Sequence, residues 1–210
     1  FDGQGHKISN LSIDYIGTNT QVPYKGLFGY VEGSSSKHAV IQNLTVQGNM
    51  VLTSSKNVIG AHSGGVSGRV DYADITNVHS EVNVTVKRVG GNWDNLGGLV
   101  GYANNSTTIK DCSNSGDVTG YRYAGGIAGN LSSNSSIINC TNSGNVTCAG
   151  SGAAGMAANV GNGCAITACS NSGSINSTGA NVGGIAGDVA KAEITDCYNS
   201  GKINSSQSTS

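Results

Sequence analysis

The stretch Ala124-Gly125-Gly126-Ile127-Ala128-Gly129, followed by Ile137-Ile138-Asn139-Cys140-Thr141-Asn142-Ser143-Gly144-Asn145-Val146-Thr147, decides the fold because it recurs. The second position of its glycine pair reappears as Gly26, Gly65, Gly98, Gly126, Gly155 and Gly184, at spacings of 39, 33, 28, 29 and 29 residues. Downstream, an apolar-x-x-apolar step reads Ile41/Leu44, Ile75/Val78, Ile109/Cys112, Ile137/Cys140, Ile166/Cys169 and Ile194/Cys197. The turn that follows is Asn114-Ser115-Gly116, Asn142-Ser143-Gly144, Asn171-Ser172-Gly173 and Asn199-Ser200-Gly201, while the two early copies depart from it. A unit of about 28 residues without an i, i+3, i+4 apolar stripe is no helical repeat. It offers three short extended pieces bounded by Gly, Asn and Ser, each too short to stand alone. Stacking copy on copy gives every strand a partner about 4.8 Å away and closes the apolar positions into one core. The expected fold is an all-β, right-handed parallel β-helix (a β-solenoid) with three short strands per coil and seven coils. Its glycine pairs are expected where φ is positive or backbones approach closely. Its repeated Asn are expected to stack as an amide ladder.

Working outward, the pattern predicts one β-helix domain over 1–210, with irregular N-terminal coils at 1–97, regular repeats at 98–204 and a polar tail at 205–210. Phe1 starts inside the pattern, so the chain is expected to be a segment of a longer protein. No stretch reaches the ~18 apolar residues of a membrane helix. Eleven Lys+Arg against 12 Asp+Glu give a net charge of −1, and only 11% of residues are charged. That balance lacks the basic footprint of a nucleic-acid binder. Gly, Ser and Asn supply 85 of the 210 residues, yet their ordered placement separates the chain from a flexible linker.

Gly26-Leu27-Phe28-Gly29 and Gly98-Leu99-Val100-Gly101 resemble the GLUG motif of bacterial cell-surface proteins, including adhesins and the non-catalytic parts of immunoglobulin A peptidases. The opening Phe1-Asp2-Gly3-Gln4-Gly5-His6-Lys7-Ile8-Ser9-Asn10-Leu11 is similar to stretches that precede such repeats in parallel β-helices. Later copies carry Ile127-Ala128 and Ile185-Ala186 in place of Leu-Phe, and Ala158 replaces the third glycine of the fifth copy. The resemblance implies surface display on a bacterial cell, outside the cytoplasm, and no reaction.

Cys112, Cys140, Cys169 and Cys197 occupy the repeat position that Leu44 and Val78 hold earlier, which makes it a buried apolar slot with a column of reduced thiols. Cys148 and Cys164 break the pattern, and the sequence leaves a bridge between them open. No cysteine pair has metal-site spacing, so neither metal nor cofactor is expected. Catalysis is not expected either. Asp111 and Asp196 share a repeat position, but three coils, or about 14 Å, would separate them, too far for a glycosidase pair. Asp71 and Asp74 read as solvated turn acids. His6, His38, His62 and His79 share no repeat position. Outward Thr rows of the kind that bind ice are not maintained, because Thr119 and Thr147 give way to Asn176 and Asn204.

The connections between coils are long at 14–25, 53–63 and 85–96, and short at 119–124, 147–153 and 176–182. In a solenoid, equivalent insertions project from one edge, which is often where partners bind. This edge collects the candidate ligand-binding residues Tyr24, Arg88, Trp93, Tyr121, Arg122 and Tyr123, together with Tyr15. Flat aromatics beside Arg suit a host surface protein or a glycan. The expected role is a monomeric, non-enzymatic adhesin or stalk, and the alternative is a degenerate segment of a carbohydrate-active β-helix enzyme.

Overall fold

The computed structural model describes residues 1–17, 24–54, 62–88 and 94–206. Among these there is no helix, and every pairing between coils is parallel. The chain is a parallel β-helix of three sheets. The first sheet has seven rungs, beginning with Asp2–Gly17, Ala39–Ser54 and Ala73–Arg88. The second and third sheets have six strands each, starting at Tyr24–Lys25 and Phe28–Glu32.

Regular coils feed these sheets five segments rather than three. In one coil they are Ala124–Gly125, Ala128–Leu131, Ser136–Ile138, Thr141–Asn142 and Val146–Cys148. The extra breaks have a local cause. The residue before each core cysteine is left-handed, with φ of 54° at Asp111, 51° at Asn139, 54° at Ala168 and 53° at Asp196. Asn and Asp tolerate that conformation better than other side chains do, and the Asn-Ser-Gly turn then bends the rung again.

Register keeps like on like. Ile75, Ile109, Ile137, Ile166 and Ile194 follow one another in adjacent rungs. The first four are fully buried in a single core that runs from Ile41 to Ile175. Each such side chain contributes about 1.5–3 kcal/mol by leaving water.

The glycine pairs answer to close approach, because their second members do not have positive φ. A methyl group on Gly126 would overlap both the Gly155 carbonyl oxygen and Cγ of Asn142. Gly98, Gly155 and Gly184 meet Asn114, Asn171 and Asn199 in the same way. The glycine pair and the Asn-Ser-Gly turn are thus two halves of one packing unit across the core. The third glycine packs against the second sheet, as Gly129 does against the backbone of Asn95 and Leu96. Ala158 at that position leaves the register intact, with Ala128 opposite Ala157 and Asn130 opposite Asn159.

The amide ladder is present, buried at Asn114, Asn142 and Asn171 and half-buried at Asn199. Asn114 Nδ2 donates to Asn142 Oδ1 at 2.8 Å, Asn142 to Asn171 at 2.8 Å, and Asn171 to Asn199 at 2.7 Å. The second proton of each amide goes to the glycine two residues on, at 2.8 Å from Asn114, Asn142 and Asn171. Beside it runs the thiol column. Cys112, Cys140 and Cys169 are buried, and Cys197 in the last rung is half-buried. Each sulfur has two carbonyls within reach of its one proton: Cys140 Sγ lies 3.2 Å from Ile138 O and 3.6 Å from Ile109 O. Hydrogen bonding to the Cys112 sulfur, with burial adding to it, pushes the Cys140 thiol up to about 12. Cys148 and Cys164 are buried and unbridged. Cys148 Sγ faces Tyr121 O at 3.2 Å, whereas Cys164 Sγ lies in another turn near Asn162 O at 3.7 Å.

Candidate functional site

The strands of the first sheet end, and those of the second begin, at one corner of the rod. The expected residues at this corner have unequal placements. Trp93 and the Arg88 side chain lie outside the described residues. Tyr121 is exposed. The Arg122 guanidinium sits 5.2 Å from the centre of the Tyr123 ring. Tyr123 itself is only 8% exposed, and Gly152, at φ 84°, lies against its ring. Tyr123 is therefore a packing group of the turn and not part of a contact surface. Tyr24 opens the second sheet and belongs to a larger assembly that the sequence reading missed.

That assembly is built by register. Tyr24 stands opposite His62 in the second sheet. Tyr30, Arg69 and Tyr102 stand on successive rungs of the third. The two columns meet where the chain turns from one sheet to the other. The His62 ring is stacked between Tyr24, at 5.5 Å, and Tyr102, at 5.0 Å. The Arg69 guanidinium lies 5.4 Å from the ring centres of both Tyr30 and Tyr102 and 5.9 Å from that of Tyr24. Below them Asp71 is 1% exposed. It accepts from Arg69 Nε at 2.7 Å, from Tyr30 Oη at 2.7 Å and from Asn105 Nδ2 at 3.4 Å.

The electrostatics follow from this geometry. Burial works against the Asp71 carboxylate, but the hydrogen bonds from Arg69 and Tyr30 outweigh it and hold its pKa below the usual value. Burial likewise works against the Arg69 charge, and its bonds to Asp71 and Tyr24 overcome that and raise it. Burial and the bond to Asp71 raise the Tyr30 hydroxyl. Asp71 is thus no solvated turn acid, as the sequence suggested, but the buried anchor of the ladder. Arg69 is paired with Asp71, the Tyr30 and Tyr24 hydroxyls are engaged by Asp71 and Arg69, and the exposed part of the assembly is chiefly the Tyr30 ring. Such a ring fits a partner through aromatic area.

Residues 94–119 and 120–147 match the family model described as the GLUG motif. These two coils are similar to GLUG repeats. Each GLUG match spans one full turn of the rod, from the corner before the second sheet to Thr119 or Thr147 at the end of the first. No curated protein and no solved structure matches the chain. Within the GLUG frame the missed ladder has a readable address. Tyr30, Arg69 and Tyr102 each follow the third glycine of their copy directly, where later copies carry Asn130, Asn159 and Asp188.

Proposed function

We propose that the chain is a non-enzymatic module of a bacterial cell-surface protein, working outside the cell as a monomeric, rigid stalk that carries a recognition edge. One observation carries this reading. The three coils with the long connections at 18–23, 55–61 and 89–93 are also the coils that bear the Tyr24, Tyr30, His62, Arg69 and Tyr102 ladder at the adjoining corner. In the coils beyond, the third-sheet column continues as Asn130, Asn159 and Asp188, and the second-sheet column as the buried Tyr123, Gly152 and Asn181. The rod supplies stiffness and reach, and the irregular end supplies variation for contact with a host protein or glycan. Asp111 and Asp196 stand at either end of a column with Asn139 and Ala168 between them. That separation favours a stalk over the alternative of a carbohydrate-active enzyme segment.

A printed array of matrix proteins and glycans, probed with the folded chain, tests the reading. Binding that falls at least about tenfold in Tyr121→Ala and Trp93→Ala, with an unchanged melting temperature, supports it. Unaltered binding in both variants, or no binding to any array member, refutes the recognition edge.

A further inference from the structure

Away from this corner, a concavity lies on the first sheet. Between Ile8/Val46 and Leu11/Gly48 the pairing of the first two rungs slips, so that Ser9 and Asn10 oppose Gln47 alone. Such a bulge bends the strand and re-aims its side chains. It opens a groove of about 470 Å³ over Leu11 and Gly48, lined by Asn10, Ser12, Gln47, Asn49 and Glu81. That volume falls within the ~300–1,000 Å³ range of small-ligand sites.

The later coils close the same corner. Their turn hydroxyls bond to backbone, with Ser143 Oγ donating to Asn114 O, Ser172 Oγ to Asn142 O and Ser200 Oγ to Asn171 O, each at 3.4 Å. In the groove the polar side chains face solvent and remain available to a ligand. Among the described residues, the side chains of Asn10, Ser12 and Gln47 have no hydrogen-bond partner, and Asn49 is engaged only through Oδ1, which accepts from Asn83 at 3.0 Å. Lys7 Nζ holds Glu81 Oε2 at 2.7 Å, which cancels the charge and leaves Oε1 as an acceptor.

We propose that this groove binds a neutral carbohydrate of one or two pyranose rings through its hydroxyls. A sugar hydroxyl both donates and accepts, and the groove offers amide donors beside carboxylate and amide acceptors with no net charge. An anionic ligand would face Glu81, and a cationic one would compete with Lys7. The binding does not depend on the aromatic corner, so either assignment can fail without the other.

Saturation-transfer NMR on the full chain decides the matter, with lactose, cellobiose and chitobiose as neutral probes and sialyllactose as the anionic control. The expected result is transfer to at least one neutral disaccharide, weakened ~5-fold or more in Gln47→Ala and in Glu81→Gln. Gln47→Glu, which adds charge at an exposed position, abolishes it, and Tyr121→Ala leaves it intact. No transfer to any neutral probe, preference for sialyllactose, or transfer indifferent to the three groove substitutions would overturn the proposal.

Discussion

Replacing Asn142 by alanine removes a side chain that makes three buried hydrogen bonds at once. It donates to Gly144 O and Asn171 Oδ1 and accepts from Asn114 Nδ2, each at 2.8 Å. Each bond contributes about 1 kcal/mol net, and leaving the Gly144 and Asn171 acceptors dry adds up to about 1 kcal/mol apiece, the low end of the desolvation penalty. The expected loss is therefore roughly 3–5 kcal/mol. Asn142→Asp should cost more than alanine, because a carboxylate oxygen would then point at Gly144 O with no proton to offer. Urea unfolding followed by circular dichroism measures the loss. Hydrogen exchange on the rungs at 114, 142 and 171 shows whether it is local, as nearest-neighbour coupling in a solenoid requires. The double variant with Asn171→Ala supplies a second check. Once the orphaned Oδ1 of Asn171 is gone, the second deletion should be cheaper by about 1–2 kcal/mol. A loss below about 1 kcal/mol for Asn142→Ala, or strict additivity of the pair, would show that the ladder follows the fold instead of holding it.

Four further outcomes follow from the same coordinates. Ala168→Asn should stabilise the rod by about 1 kcal/mol in thermal or urea melts, because alanine occupies a left-handed position, φ 54°, that asparagine takes more easily. Cys140→Val should cost less than about 1.5 kcal/mol, since Val78 already fills the equivalent slot. The same substitution should flatten the pH dependence of stability above pH 9: the folded thiol is raised to about 12, so its contribution is whole below the ordinary thiol value and lost as pH climbs towards the folded one. Arg69→Met should cost about 3–5 kcal/mol at neutral pH by stranding the buried Asp71 carboxylate, and less in acid where Asp71 takes up a proton; a pH-independent cost in urea melts would refute the pairing.

The core was legible because a β-helix repeats its interior in register. Ile137, Cys140 and Asn142 announce themselves by recurring, and so do the glycines they pack on. The sequence allowed two reasons for the glycine pairs, and only the packing of Asn142 on Gly126 selects close approach over backbone conformation. The left-handed step at Asn139 was hidden for a simpler reason: Asn is so common here that one more at a fixed position carries little weight. The Arg69 ladder escaped because outward positions need not repeat, and Arg69 interrupts the two tyrosines, Tyr30 and Tyr102, of its column. What unites them is their place around the coil, directly after the third glycine, which becomes a signal only when the copies are aligned on that glycine. Tyr123 shows the opposite error, since an aromatic beside Arg122 reads as a contact residue until Gly152 is found lying against its ring.

The Asn-on-glycine packing also makes the length of the rod adjustable. Excising residues 127–155 would join Gly126 to Met156 and bring Asn171 to the height Asn142 held, with every amide still meeting an amide above and a glycine across. Duplicating the same block would insert a rung as quietly, adding about 4.8 Å of reach. Unequal recombination within such a gene would thus yield proteins that differ in stature while keeping the same interior chemistry.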